Sequence, residues 1–268
     1  MGVLGSALIA LLGLGAPIAL ALIAVTVGFI FYDPLLSESA IFRSFFSFVN
    51  KYTLMAIPFF IYAGFLMERT GLIAKLFRFA DALVGWVPGG FAYATILAAV
   101  MFGAISGSST AMAAAMGVVA YPEMIKRGYP KWMAAGVIAT GGGIAILIPP
   151  SITLILYGVL TDESIVKLFF AGVIPGLMLA FSDAIIVMTM ALIIKLPANK
   201  FSWRELKDAS IHAFPALMMP VFVLGALYGG VLTPTEAGAG ACAYALAYGL
   251  LTLRRRFVPE IMAATERA

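Results

Sequence analysis

Long apolar stretches separated by short polar ones run through the whole chain, and they predict a bundle of membrane-crossing helices. A helical span needs about 20 apolar residues, with a range of roughly 17 to 25. Residues 3–32 meet that length, with Pro17 predicting a kink. Residues 33–51 mix Asp33, Glu38, Arg43 and Lys51 with Phe42, Phe45, Phe46 and Phe48, the pattern of an interfacial amphipathic helix with an aromatic belt. A second span is expected over 52–67. Over 68–88, Leu72, Leu76, Phe79 and Leu83 recur at helical spacing opposite Lys75, Arg78 and Asp81, which predicts a surface-lying helix with solvated charges. Further spans are expected over 169–194, with a break at Pro175-Gly176, and over 213–232 and 236–253. A basic amphipathic segment covers 195–212.

Two polar, glycine-rich interruptions fall between these runs. Residues 89–105 lead into Ser106-Gly107-Ser108-Ser109, and a second arm follows over 110–121. Each arm is around 15 residues, short for a crossing, so the pair reads as a re-entrant hairpin that enters and leaves on one side. Residues 132–157 are long enough to span. They hold Gly141-Gly142-Gly143 and then Ile148-Pro149-Pro150-Ser151. Two successive prolines remove two donors and stop a helix, so two half-helices with an unwound crossing near the bilayer midplane are expected. Hydrocarbon offers no water to freed N–H and C=O groups. Broken backbone at that depth survives where it is buried in protein or lines a wet cavity facing an ion or solute.

A small hard cation takes several oxygen ligands. The tip offers the hydroxyls of Ser106, Ser108 and Ser109 and carbonyls freed by the turn at Gly107. The crossing offers carbonyls between Gly143 and Pro150, including those of Ala145 and Ile148. The helix starts at Ser151 and after Ser109 present partial positive charge, which makes Ser151 and Thr153 candidates for an anionic solute. The competing reading is that Gly and Ser only let helices approach closely.

Composition agrees with a membrane protein. The 268 residues are 63% hydrophobic and 11% charged, with a mean hydropathy of +1.05, whereas soluble domains are about 25% charged. The net charge of +4 is positive-inside bias and carries no nucleic-acid signal. A cytoplasmic N-terminus places Lys75/Arg78, Lys126/Arg127/Lys131, the cations from Lys195 to Lys207 and Arg254–Arg256 inside, with Asp162/Glu163 and 233–236 outside. The first apolar run is too long for a cleavable signal and begins without a basic flank. Cys242, the one cysteine, reads as a packing residue, and Asp183 stands as an ionisable group inside an apolar span. Glu236 reads equally as a helix-capping acid or a functional one. His212, the one histidine, is expected at the interface, too far from Ser106–Ser109 to serve as the base of an intramembrane serine protease. No enzyme is expected, and no phosphate loop or dinucleotide fingerprint is present.

Phe102-Gly103-Ala104-Ile105-Ser106-Gly107-Ser108-Ser109-Thr110-Ala111, Pro122 with Gly128-Tyr129, Ile148-Pro149-Pro150-Ser151 and Thr233-Pro234-Thr235-Glu236-Ala237 follow in that order. So do the earlier Pro58-Phe59-Phe60, Gly64 and Pro88-Gly89-Gly90. In this the chain resembles the DctM-like large membrane subunit of tripartite ATP-independent periplasmic (TRAP) transporters over nearly its whole length. The resemblance implies an all-α, polytopic, elevator-type fold and sodium-coupled import of an organic acid such as a C4-dicarboxylate or sialic acid. It also implies an inner-membrane location, a small DctQ-like membrane subunit and a periplasmic substrate-binding protein as partners. By motif, Na+ would be held by Ser106 and Ser109 and by the carbonyls of Ala145, Ile148 and Pro150. The family commonly has glycine where Ala145 stands, so a positive φ there would be costly.

The expected organisation is scaffold-side helices over 1–88, a transport-type core over 89–160 (hairpin 89–121, broken helix 132–157), further spans and a basic linker over 161–256, and a polar tail over 257–268. In the family a second hairpin and a second broken helix follow the Thr-Pro-Thr-Glu-Ala region. The resemblance therefore implies a truncated, split or incompletely represented subunit, lacking half the substrate site and a second sodium site. A stand-alone sodium/dicarboxylate symporter and a non-transporting membrane scaffold fragment are the alternatives.

Overall fold

A computed structural model describes residues 2–32, 38–253 and 265. Every regular element among the described residues is helical. The cations of Arg254–Arg256 and the tail expected over 257–268, Thr265 apart, lie outside them, as does Asp33. The chain divides into two compact units, residues 1–51 and 52–268.

The first unit holds α1 (Gly2–Gly13), α2 (Ile18–Tyr32) and α3 (Glu38–Val49). Residues 3–32 are not one kinked span. Gly15 adopts φ +82°, which only glycine takes without strain, and the chain turns back there. Val3 and Leu4 of α1 then face Gly28 and Phe29 of α2 across one apolar cleft. The two short helices are an antiparallel pair. α3 is amphipathic as expected, with Phe42, Phe45 and Phe46 exposed.

The second unit opens with a 3-10 turn at Tyr52–Met55, then α4 (Ala56–Arg69) and α5 (Leu72–Val84). α5 buries Leu72, Ile73, Leu76, Phe77 and Ala80 against α6 and α11. Its charges have partners, though Arg78 and Asp208 stay about half exposed: Lys75 Nζ donates to Tyr248 Oη at 2.7 Å, Arg78 pairs with Asp208 at 2.8 Å and Asp81 with Arg127 at 3.5 Å.

α6 (Gly90–Ser106) and α7 (Ser109–Lys126) form the hairpin. α7 is longer than the arm expected from the sequence, because it runs through Pro122. α8 (Lys131–Leu147) and α9 (Ile152–Thr161) are the two halves of the broken helix, bent by 43°. Gly141, Gly142 and Gly143 lie inside α8, so the unwound segment is confined to Ile148–Ser151. α10 (Ile165–Ile194) passes Pro175 unbroken. α11 (Trp203–Tyr228) passes Pro215 and Pro220, joining the amphipathic segment and the span that the sequence separates. Both are long and apolar enough to cross a bilayer. α12 (Pro234–Leu253) packs on α4 and α11. The core centres on α6, with α7, α8 and α10 on one side and α5 and α4 on the other.

Candidate functional site

The two breaks are built alike. α6 ends in Gly107 at φ +58°, whose N–H donates to Gly103 O at 2.9 Å. Ser108 then turns extended (φ −115°, ψ +119°), and its hydroxyl accepts from Ala111 N at 3.3 Å to cap α7. In the second break, Ile148 is extended (φ −75°, ψ +122°) because the residue before a proline avoids the helical region. After the cis Pro149–Pro150 peptide, Ser151 is extended and its hydroxyl accepts from Leu154 N at 3.4 Å. A hydroxyl N-cap satisfies one of the donors orphaned at a helix start.

The double proline also frees carbonyls. In a continuous helix the N–H of residue 149 would bond to Ala145 O and that of 150 to Ile146 O, and proline has neither N–H. Ile148 N still donates to Ile144 O at 3.1 Å. The Ser151 hydroxyl donates to Ile146 O. The Ala145 and Ile146 carbonyls thus both lose their helical donor, and the Ser151 hydroxyl replaces it at Ile146 alone. Ala145 itself lies within α8 and is not among the non-glycine residues with positive φ, which among the described residues are Asp162 and Lys195. A helical alanine therefore presents the freed carbonyl, and the strain expected there does not arise.

The tip and the break meet backbone to backbone. A β-carbon on Gly107 would overlap the Pro150 carbonyl oxygen and lie 2.7 Å from Ser151 Cα. One on Gly103 would lie 2.7 Å from Ala145 Cα, and one on Gly142 would lie 2.8 Å from Ser109 Oγ. α10 covers the break from behind, with the would-be β-carbon of Gly172 2.6 Å from Leu147 O and that of Gly176 2.7 Å from Ile148 Cδ1. The C-termini of α6 and α8, which carry partial negative charge, thus converge with the N-termini of α7 and α9, which carry partial positive charge.

The expected ligands are distributed unequally around this junction. Gly107, Pro150 and Ser151 touch, Ser109 lies on α8 at Gly142, and Ala145 lies against α6. Ser106 is buried but turned away, its hydroxyl 3.1 Å from where a Gly64 β-carbon would be on α4. The Ser108 hydroxyl is spent on its cap and on Thr110 Oγ1 at 3.2 Å. Gly143 is helical and faces Leu179 of α10, and Thr153 is exposed in the first turn of α9. Ser151 is fully buried with its hydroxyl engaged twice. The contact glycines 103, 142 and 172 were missed in the sequence. Gly103/Gly107 and Gly172/Gly176 are spaced four apart, the small-xxx-small signature that marks close helix approach.

The remaining candidates lie elsewhere. Glu236 forms a reciprocal capping box: its carboxylate accepts from Thr233 N and Thr233 Oγ1, both at 2.8 Å, and Thr233 Oγ1 accepts from Glu236 N at 3.4 Å. His212 is bonded to Asp208 O at 2.8 Å on the exposed first half of α11. Cys242 is buried, with its thiol on Phe59 O at 2.9 Å. Asp183 is buried between α10 and α8, beside Thr140 and away from the breaks; Asp183 Oδ2 has no hydrogen-bond partner among the described residues.

Taken together, the apolar helices and the two interlocked breaks define an all-α integral membrane protein with a hairpin seated on a discontinuous helix. The profile of the tripartite ATP-independent periplasmic transporter, DctM component, matches residues 6–268. The chain is 41% identical to the C4-dicarboxylate TRAP transporter large permease protein of Vibrio cholerae, over 86% of this chain and 51% of that one. It is 37% identical to the 2,3-diketo-L-gulonate TRAP transporter large permease protein of Escherichia coli (88% and 56%) and 35% identical to the ectoine/5-hydroxyectoine TRAP transporter large permease protein of Ruegeria pomeroyi (95% and 60%). The chain belongs to the DctM family of TRAP transporter large subunits. It spans about half the length of the relatives it matches.

Proposed function

We propose that the chain forms the first-repeat portion of the large transmembrane subunit of a sodium-coupled, binding-protein-dependent importer of organic acids in the inner membrane. A small DctQ-like membrane subunit and a periplasmic substrate-binding protein are its partners. The observation that carries the reading is the seating of the hairpin tip on the helix break, beside the Ala145 carbonyl that Pro149 leaves without a donor. Two helix C-termini meeting there provide carbonyl oxygens and partial negative charge without a formal charge, a fit for a small monovalent cation. Na+ is held in this reading by the Ser109 hydroxyl and by carbonyls drawn from Ala145, Ile148 and Pro150. Ser106 has to turn from α4 to join them.

Re-entry of the hairpin is supported by level. The tip lies against Pro150–Ile152, from which α9 continues for ten residues, about 15 Å at the rise of an α-helix. The tip therefore stops short of the face that α9 reaches, which is the geometry an elevator-type carrier domain requires.

Relatives are named for C4-dicarboxylates, 2,3-diketo-L-gulonate and ectoine, so the substrate class proposed here is a small polar metabolite, most of them organic anions. Thermal unfolding of the purified chain in detergent with NaCl against KCl tests the ion site. Stabilisation by sodium alone, abolished by Ser109→Ala, is the expected result, since a ligand specific to the folded state raises its stability by mass action. Equal responses to the two salts would remove the sodium site from this chain.

A further inference from the structure

The first three turns of α11 carry Arg204, Glu205, Lys207, Asp208 and His212, and the rest of the same helix is a membrane-crossing segment. The bilayer surface therefore falls near His212–Phe214. A cleft of about 570 Å³ opens at that level between Arg78 of α5 and the start of α11, lined by Arg204, Glu205, Lys207, Asp208 and Ile211. Asp208 is committed to Arg78 at 2.8 Å and to the His212 ring at 3.5 Å. Arg204 and Lys207 have no ion pair among the described residues, so two cations face one remaining carboxylate, Glu205.

Below Lys207, the outward face of α11 continues as Ile211, Phe214 and Val221 at helical spacing, 62%, 57% and 60% exposed. Beside the cleft, Trp86, Phe201 and Trp203 form an edge-on chain with centroids 6.2 and 5.0 Å apart, and Trp203 is exposed. Such rings collect at the headgroup level of a bilayer. Surplus positive charge at the surface, an apolar stripe running into the hydrocarbon from the same cleft, and an aromatic collar match one molecule in both polarity and direction.

We propose that this cleft binds an anionic phospholipid of the surrounding leaflet. The phosphate lies against Arg204 and Lys207, and an acyl chain follows Ile211, Phe214 and Val221. The apolar stripe separates this reading from a site for a free anion, which has no use for it.

Native mass spectrometry of the full chain, released from micelles carrying equimolar phosphatidylglycerol and phosphatidylcholine, tests the assignment. The expected result is preferential retention of phosphatidylglycerol, reduced about fivefold by Arg204→Gln or Lys207→Gln alone. Lys207→Arg keeps retention, and Ile211→Gln lowers it without any change of charge. Thermal unfolding and helical content, unchanged in the surface variants, separate lost binding from lost folding. Three outcomes overturn the proposal: no preference between the lipids, an equal loss from Lys167→Gln at the start of the 30-residue α10, the opposite end of that helix from the one packed at Gly89, or displacement of phosphatidylglycerol by millimolar inorganic phosphate with Ile211→Gln silent. The last would mark a free-anion site.

Discussion

Adding one methyl group at Gly107 should cost more than almost any other alanine substitution in the hairpin. Gly107 has φ +58°, a region where a side chain adds about 1–3 kcal/mol of strain. Its β-carbon would collide with the Pro150 carbonyl oxygen, Ser151 Cα and Ile152 N. All three are backbone atoms, so no rotamer change relieves the overlap, and overpacking of that kind costs about 1–3 kcal/mol. The sum, about 2–6 kcal/mol, is a large part of the roughly 5–15 kcal/mol that holds a folded domain together. At ~2–4 °C per kcal/mol for a chain of this size, Gly107→Ala should melt on the order of 10 °C below the parent in detergent. Gly117 is the control: it lies in the same hairpin, within α7, and nothing lies within 4 Å of its would-be β-carbon. There alanine replaces a helix-interior glycine and should gain up to about 1 kcal/mol. If the two variants melt together, the seating of the tip on the break is wrong.

Two further outcomes can be checked. Ser151→Ala removes the cap of α9 and the donor to Ile146 O, and should destabilise the chain by about 2–4 kcal/mol in denaturant unfolding, the sum of a lost cap and a buried unpaired carbonyl. Burial of Asp81 raises its carboxyl above the usual 3.8, although the Arg127 guanidinium opposes the shift and Glu205 and Glu123 add to it. A raised acid group makes the folded state the tighter proton binder, so its contribution to stability is lost as pH rises through the folded value and regained as pH falls toward 3.8. Melting curves from neutral pH downward should therefore show the parent gaining on Asp81→Asn; the reverse slope would mean that the Arg127 pair governs instead.

The two breaks were legible because their signals are strong: three serines around a glycine, and two consecutive prolines, inside sequence with no other reason to be polar or rigid. What misled were weaker signals of the same kind at Pro122 and Pro175, which lie within continuous helices as Pro215 and Pro220 do. A single proline forfeits one hydrogen bond, and in hydrocarbon the alternative of opening the backbone is worse. Pro149-Pro150 forfeits two in succession and forces Ile148 extended, which is past what packing restores. Gly141–Gly143 looked like an unwound stretch and proved to be a contact surface, where Gly141 meets Met112 and Ala99 and Gly142 meets Ser109. Glycine composition alone does not separate a helix that breaks from one that is approached. The turn at Gly15 was invisible because both flanks are equally apolar, so length favoured one crossing over two short helices. Orientation of the site hydroxyls was beyond reach as well, since Ser106 and Ser109 are three residues apart on either side of a cap that reverses the chain between them.

The contact between hairpin and broken helix has a mechanical consequence. Gly103 against Ala145, Gly107 against Pro150 and Ser109 against Gly142 are three fixed points along one seam, and at each the main chain of at least one partner comes within reach of the other. Sliding α6 by a single turn in either direction would take Gly107 off Pro150 and unseat the tip from the break. The seam behaves as a keyed joint, with one register and no intermediate settings. A joint of this kind resists shear between the hairpin and the broken helix more than bending at the loops that leave them.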